Sequence, residues 1–275
     1  MLFFIKVVFI KRLLLIIMLC GFSATLSAIQ QSDLKEMGLK GQVKKWATKS
    51  YRVKDEKKEN EWDRIIYFNQ SGFITKRESY INFRLLSTYF YEYSPEGKLI
   101  KTYTLDNEPR ALPYLEVFYT YTQNADGTET QKGEIIYSET GMKGSHSENT
   151  FNSKGLLIFN RNMLSLTGYS YHYDEQGMIT EVVNHDSDEP YEEFINTYTN
   201  GKLIKRVKKL RGNIENIAYF DQSGHRVKEE EFSESGELLF TTNYTNQTDK
   251  AGNLIKIMKS SDFSEIVTEN YYEYY

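Results

Sequence analysis

Along most of the chain, apolar and polar residues alternate with a period of two, and short polar clusters containing glycine interrupt the alternation. Residues 89–93 and 169–173 show it clearly, because tyrosine stands at every second position. Residues 99–103 and 203–207 alternate in the same way after a glycine cluster. A period of two places successive side chains on opposite faces of a β-strand. The pattern therefore predicts strands with one apolar face and one polar face.

A seven-residue pattern recurs between these strands: an aromatic residue, then Asn, Asp or Ser, two variable residues, Gly, one residue, and Leu or Ile. The polar side chain can accept a local backbone hydrogen bond, and the glycine can adopt the left-handed conformation that a type I turn with a bulge needs. The aromatic and aliphatic residues then face each other on opposite strands and pack as a pair. Five complete copies occupy residues 68–74, 93–99, 151–157, 173–179 and 232–238.

Degenerate copies, which keep the turn but lack other residues of the motif, lie between the complete ones at residues 124–127, 198–203, 220–224 and 249–252. The main turn glycines lie about 22 to 30 residues apart, which is the length of one hairpin with its return connection. One hairpin cannot bury its apolar face alone, so neighbouring copies must stack. The repeat predicts an all-β fold, an antiparallel meander of tandem β-hairpins that forms a twisted open sheet, a partial barrel or a solenoid.

The first 28 residues predict a secretory signal peptide, with a basic start, an apolar stretch and small residues before Ala28. Two alternatives remain open: an uncleaved membrane anchor, or a lipid attached to Cys20. We expect residues 29–60 to be a lead-in with the first strand, and residues 61–275 to be the repeat domain. The expected location is the periplasm, the cell surface or the extracellular space.

Charge and cysteine content narrow the function. Removing the three basic residues of the signal from 34 leaves 31 against 38 acidic residues, a formal net charge of −7. Such a chain lacks the basic surface typical of nucleic-acid binding. Cys20 is the only cysteine, so the mature chain depends on burial and sheet hydrogen bonds and has no disulfides.

Residues 171–177 and 91–100 carry a resemblance to the YD-repeat (Rhs-like) family, whose repeats read roughly Tyr-x-Tyr-Asp-x-x-Gly-Asn-Leu. The resemblance covers about residues 62 to 260, and residues 33–44 resemble the start of small exported bacterial proteins with such repeats. It implies hairpins wound into an extended or curling sheet. Large family members form shells around a toxin domain, a role not expected here because the chain is too short for a shell and no domain follows the repeats.

Several polar groups deserve comparison with catalytic and metal sites. None of the histidines has a partner at metal-ligand spacing, and no nucleophile elbow accompanies the one between Ser145 and Ser147. The acidic residues around Pro190 resemble calcium ligands in type but lack the spacing of a known calcium loop. We expect no catalytic residue, no metal and no cofactor. The residues concerned are His146, His172, His185 and His225, and Asp186, Asp188, Glu189, Glu192 and Glu193.

Two charge runs are interpreted as solvated strand surfaces. The glutamates at 229–231 predict protection of an edge strand, since charges hinder pairing between sheets. The basic cluster Lys205, Arg206, Lys208, Lys209 and Arg211 predicts an outer face paired with glutamates, or a contact with an anionic surface.

The expected function is therefore a non-enzymatic binding or structural module of the bacterial envelope. A protein or glycan partner would bind along a sheet face or an edge strand, and the tyrosine rows either stack on that partner or cover the sheet's own apolar face. The alternative is an immunity or antitoxin-like protein that masks an effector. An enzyme such as a glycan hydrolase would need paired carboxylates across a cleft.

Overall fold

The computed structural model describes residues 33–54, 57–81, 84–106, 115–138, 140–186 and 189–275. The predicted signal peptide and residues 107–114 lie outside these residues. The described part contains one short helix, α1 (Asp33–Glu36), and 18 strands. Their bounds are β1 (Val43–Lys54), β2 (Lys57–Phe68), β3 (Ile74–Ile81), β4 (Arg84–Tyr93), β5 (Leu99–Asp106), β6 (Leu115–Gln123), β7 (Glu129–Tyr137), β8 (Lys143–Phe151), β9 (Leu157–Asn162), β10 (Thr167–Tyr173), β11 (Ile179–Asp186), β12 (Glu189–Thr199), β13 (Lys202–Leu210), β14 (Asn213–Phe220), β15 (Arg226–Phe232), β16 (Leu238–Thr248), β17 (Leu254–Ser261) and β18 (Ser264–Tyr274).

The strands form one antiparallel meander that closes on itself. Each strand pairs with its neighbours in the chain, and β18 returns to pair with β1 over ten residue pairs, from Val43–Tyr274 to Val53–Glu265. The all-β meander of hairpins is thus confirmed. Its closure goes further than the open sheet or partial barrel that the repeat predicted. No described strand has a free edge.

The repeated turns have the chemistry that the motif predicts. Asn152 illustrates it, because its Oδ1 accepts the backbone N–H of Leu156 at 3.0 Å while Gly155 adopts a φ of +75°. The register then places Phe151 opposite Leu157, with a bulge next to the turn. In the two-residue copy, both Asn200 and Gly201 have positive φ, as a tight hairpin requires.

Eight of these turns share one end of the sheet, which we call the turn end. Their glycines lie 22 to 30 residues apart: Gly72, Gly97, Gly127, Gly155, Gly177, Gly201, Gly224 and Gly252.

The copy at 232–238 does not belong to this series. It joins β15 to β16 at the opposite end, although it keeps the bulge and the pairing of Phe232 with Leu238. The degenerate copies at 220–224 and 249–252, by contrast, are in phase. Turn chemistry specifies how two strands are joined and carries no information about which end of the sheet the turn occupies.

The stretch between residues 133 and 149 is regular, since β7 and β8 fill most of it. Residues 189–193, whose acidic side chains around Pro190 favour a solvated loop, also lie in a strand, β12.

Hydroxyl groups of inward tyrosines tie one hairpin to the next. Tyr173 donates to the carbonyl oxygen of Leu157 at 2.6 Å, and Tyr198 donates to that of Ile179 at 2.9 Å. In each case the acceptor is the aliphatic residue that follows the preceding turn. Tyr121 and Tyr272 make the same contact, with Leu99 and Leu254. The recurrent tyrosine therefore stabilises the contact between successive repeats, in addition to its role in the strand.

A segment before β1 lies across the turn end near the closure of the sheet. Leu34 N–H donates to the carbonyl of Gly72 at 3.1 Å, and Lys40 N–H donates to Asn253 Oδ1 at 2.7 Å. The Asp33 carboxyl group accepts Ile74 N–H at 2.5 Å and the Tyr93 hydroxyl at 3.1 Å. These contacts fix the segment to the turn that follows β2 and to the one that follows β16.

No helix among the described residues has the length and apolar content needed to cross a membrane.

The closure depends on Asn270, a buried residue of β18. Its Oδ1 accepts Trp46 Nε1 and the Thr48 hydroxyl, each at 3.0 Å, and its Nδ2 donates to the Leu254 carbonyl at 2.8 Å. Asn270→Ala is expected to lower the free energy of unfolding by about 2–4 kcal/mol, because it leaves buried polar groups without partners. Urea unfolding measures this, and Asn243→Ala, at an exposed site on β16, should change it by less than about 0.5 kcal/mol. Equal effects of the two variants would contradict a structural role of Asn270 in closure.

Burial raises the pKa of Asp33 from 3.8 to about 6, against the opposing hydrogen bonds from Ile74 and Tyr93. The folded state then binds more protons than the unfolded state between these values, so stability should fall as pH rises from 4 to 7, by roughly 2 kcal/mol. Asp33→Asn should remove this part of the pH dependence. Urea unfolding at pH 4.5 and 7.5 measures it, and an unchanged difference between the two pH values in Asp33→Asn would refute the assignment.

Candidate functional site

The two faces of the closed sheet differ in burial. In β7 the side chains of Gln131 and Ile135 are fully buried, while those of Lys132 and Glu134 are exposed. Following the cross-strand register from β7 places Val117, Phe151 and Tyr171 on the same buried face. We call this the inner face, since a closed sheet encloses its more buried side, and the opposite one the outer face.

The outer face carries lysine and glutamate at alternate positions of many strands. These charges pair with each other across neighbouring strands or along one strand, and several lysines also lie over aromatic rings, as Lys101 does at 5.1 Å from the Phe118 centroid. Paired, exposed charges of this kind are typical of a surface in contact with water. The pairs include Lys45–Glu273, Lys76–Glu78, Lys101–Glu116, Lys132–Glu148, Lys209–Glu193 and Lys228–Glu230.

The inner face has two compositions. One stretch, from β8 to β12, is a hydrophobic cluster around Phe151, Leu157, Tyr171 and Val182. Next to it lies a chain of buried amides, in which Asn149 Nδ2 donates to Gln131 Oε1 at 2.6 Å. The strand residues of both described hydrophobic clusters come from strands that are neighbours around the sheet, and the second cluster also includes Leu34, Met37 and Leu39 before β1. In neither cluster does a strand residue pack against a strand on the opposite side of the interior.

From β12 to β17 the inner face is charged, and we call this stretch the charged wall. Lys208 Nζ lies 2.7 Å from both Glu192 Oε1 and Glu215 Oε2. Burial opposes the charge of Lys208, but the two glutamates outweigh it and raise the pKa of the lysine. Glu192 is only 5 % exposed, so this ion pair is largely removed from solvent.

A second group of the charged wall lies nearer the turn end. Glu229 accepts Asn216 Nδ2 at 2.8 Å and the Tyr244 hydroxyl, and its Oε2 lies 3.2 Å from Arg226 Nη1. Burial would raise the pKa of Glu229, and Arg226 with these donors lowers it. Arg206 Nε donates to Asn196 Oδ1 at 2.8 Å. Arg206 forms no ion pair with any described residue.

The sequence predicted a single outer face for the basic cluster, and this is correct for only part of it. Of the predicted basic cluster, Arg206 and Lys208 point inward while Lys205 and Lys209 point outward, so the cluster is divided between two environments. Glu229 is likewise inward and Glu230 outward. The interpretation of residues 229–231 as protection of an edge strand is wrong, because β15 pairs with β14 and β16 along its length.

The histidines are dispersed. His172 Nε2 lies 3.7 Å from Glu181 Oε2 on the outer face, and His225 Nδ1 lies 3.8 Å from Asp221 Oδ2 beside a turn. His146 contacts the Ser147 hydroxyl at 3.2 Å, and burial lowers its pKa. His185 Nε2 contacts the Ser170 hydroxyl at 2.9 Å. Within the described ranges, no three residues of metal-ligating type gather at one point.

Two carboxyl groups do meet, but on the outer face. The hydrogen bond that Glu181 donates to Glu193, followed by burial, raises the pKa of Glu181. Lys209, together with that same hydrogen bond, lowers the pKa of Glu193 against burial. Both side chains are partly exposed on the outer face, Glu181 by 35 % and Glu193 by 27 %. The arrangement does not provide the two opposed carboxylates that glycoside hydrolysis requires.

The tyrosine rows point inward. Tyr89, Tyr91 and Tyr93 share the inner face with the row 169–173. Burial raises the pKa of Tyr119 and of Tyr169 to about 12. These rings therefore cover the sheet's own inner face, which was one of the two expectations for the tyrosine rows. Several of them are only partly buried and remain accessible from the interior.

No protein-family model and no curated protein matches the chain. Solved structures give weak likenesses. A porin-like protein from Bacteroides uniformis is 12 % identical over 84 % of this chain and 96 % of its own, with a TM-score of 0.47. A porin-like protein from Bacteroides vulgatus is 9 % identical over 85 % and 98 %, with a TM-score of 0.28. The Photorhabdus luminescens Tc holotoxin pore is 10 % identical over 81 % of this chain and 15 % of its own, at 0.34.

These TM-scores are all below 0.5, so the function is argued from the residues of this chain alone. The resemblance to YD-repeat proteins stays a prediction.

The difference between the faces predicts different costs for two neighbouring lysines. Lys208→Met leaves Glu192 buried without its cation and should lower the free energy of unfolding by about 2–4 kcal/mol. Lys209→Met removes only an exposed partner of Glu193 and should cost less than about 1 kcal/mol. Urea unfolding of both variants at one pH tests the assignment. A larger loss in Lys209→Met would mean that the faces are reversed.

Proposed function

We propose that the protein is an exported, non-enzymatic binding protein whose inner face receives its partner. The observation that carries the proposal is the unequal pairing of polar groups on the two faces. Outer charges neutralise each other at the surface. Inner polar groups include buried atoms without a hydrogen-bond partner among the described residues, namely Asn184 Oδ1, Glu192 Oε2 and Arg77 Nε.

Unpaired buried polar atoms are costly, so they call for an explanation. Asn184 lies opposite Glu192 in the register, which brings two unpaired acceptors together on adjacent strands. Tyr169 lies beside them, with its hydroxyl 3.4 Å from Asn184 Nδ2. Both acceptors lie just beneath the inner surface. A ligand with hydroxyl or amide groups, such as a glycan or an extended stretch of polypeptide, would pair with them once the adjacent side chains move aside.

The closure of the sheet changes the expected mode of binding. Partners that add a strand to a sheet need an edge with free N–H and C=O groups. The described strands offer no such edge, so the expectation of edge binding does not apply to them. The outer face suits water and not lipid, because placing charges in hydrocarbon is costly. The inner face is the remaining surface with unsatisfied polar groups.

Export rests on the signal sequence, and the absence of catalysis rests on the dispersed histidines and the outward carboxyl pair. The immunity or antitoxin-like alternative would use the same inner face, with an effector segment as the partner. It differs in the identity of the captured molecule.

A photocrosslinking amino acid, benzoyl-phenylalanine, placed at one site on each face tests the proposal. Tyr89 provides the inner site, and Phe118, which is 37 % exposed, provides the outer one. Irradiation with an array-selected glycan, or in envelope extract, should give an adduct at position 89 and little at position 118. Circular dichroism confirms that both proteins are folded.

An adduct at position 118 alone would overturn the proposal, as would no adduct at either site together with no glycan bound on the array. An inner-face adduct with a single effector protein would favour the immunity alternative.

A further inference from the structure

The charged wall contains an arginine whose charge is not matched. Arg206 lies on β13 with Asn196 on one neighbouring strand and the buried, small Ala218 on the other. Its only hydrogen bond to a described residue is the one from Nε to Asn196 Oδ1, at 2.8 Å. Its Nη1 and Nη2 donate to no described residue, and neither is among the fully buried unpaired atoms. The end of the guanidinium group is thus directed to the interior with its donors available.

A carboxylate of the charged wall that could serve as a counter-ion is already paired with Arg226. Glu229 lies on β15, two strands from Arg206, opposite Ala218. Its two oxygens accept from Asn216, Tyr244 and Arg226. These donors hold the carboxylate close to Arg226, whose Nη1 lies 3.2 Å from Glu229 Oε2.

A second cation increases the local excess of positive charge. Arg226 lies next to the turn that follows β14, and its guanidinium carbon is 5.6 Å from the Tyr244 ring centroid and 5.9 Å from that of Phe220. Burial, followed by repulsion from Arg226, lowers the pKa of Arg206. An arginine keeps its proton at any ordinary pH, so the repulsion persists. The group has two guanidinium charges against one carboxylate.

From this arrangement we infer that Arg206, supported by Arg226, is a binding point for the carboxylate group of a ligand that enters the interior. A guanidinium presents parallel N–H donors that match the two oxygens of a carboxylate. Asn196, which holds Nε, fixes the plane of the guanidinium and leaves its outer edge for the ligand. The inference rests on the proposed function and specifies the ligand class as an acidic sugar or another carboxylate-bearing molecule.

The Nε–H signals of the arginines in an NMR titration test the inference directly. Arg206→Met assigns the signal of Arg206. Glucuronate and acetate are the carboxylate probes, sulfate is the tetrahedral anion, and glucose is the neutral sugar. The Arg206 signal should move and saturate with glucuronate and acetate, and it should stay in place with glucose. Saturation with sulfate alone would overturn the choice of a carboxylate.

Variants separate binding from folding. Arg206→Met should weaken glucuronate binding, followed on the Arg226 signal, at least tenfold, since charge-assisted bidentate contacts are strong. Its urea midpoint should be unchanged or higher, because the substitution removes a poorly neutralised inner charge. Arg206→Lys keeps the positive charge but loses the two parallel N–H donors of the guanidinium group, and it should bind glucuronate with intermediate strength. Lys205→Met, on the outer face of the same strand, is the matched control and should bind within twofold of the wild type.

A clearly lower urea midpoint for Arg206→Met would assign the residue to the fold and overturn the inference, as would glucuronate binding that Arg206→Met leaves intact. The two proposals fail in different ways. Glycan adducts at position 89 with no effect of Arg206→Met would leave the proposed function and remove this site. Saturable carboxylate binding at Arg206 without any inner-face adduct would leave the carboxylate site and remove the proposed function.

Discussion

The pairing of β1 with β18 is the constraint on which the rest of the structure depends. It joins strands more than 200 residues apart through ten residue pairs and leaves the described strands without an open edge. Because the sheet curves back onto itself, its two faces acquire different surroundings. Asn270 and Trp46 meet at this junction, so the inward polar groups of the first and last strands also contribute to closure.

Closure divides charges that are neighbours in the chain. Lys208 and Lys209 are adjacent, yet the first lies among buried glutamates of the inner face and the second pairs with Glu193 at the surface. An ion pair at the surface contributes little to stability, whereas loss of one partner inside leaves an uncompensated charge. The same residue types thus form a solvated surface on one side and a polar interior on the other. The proposed binding on the inner face rests on this difference.

The repeat builds the sheet and also supplies much of its lining. Each turn pairs an aromatic residue with an aliphatic one, and inward tyrosines such as Tyr173 and Tyr198 donate to the hairpin before them. Their rings therefore have a structural reason to recur. The charged wall has no such reason, because Arg206 and Glu229 each lie five residues after a turn glycine, and the same position is occupied by Val182 in another copy, so the repeat does not require a charge there. The proposed binding therefore rests on these residues and not on the motif.

The sequence alone determined the strands, the turns and their hairpin pairing, because alternation and turn chemistry act between residues close in the chain. It predicted Phe151 opposite Leu157 for that reason. It left open which face would be enclosed, and it misplaced residues 229–231 at an edge. Alternation divides a strand into two faces without saying which one is inside. Only the tertiary structure, through the pairing of β1 with β18, decided that Arg206 points inward and Lys205 outward.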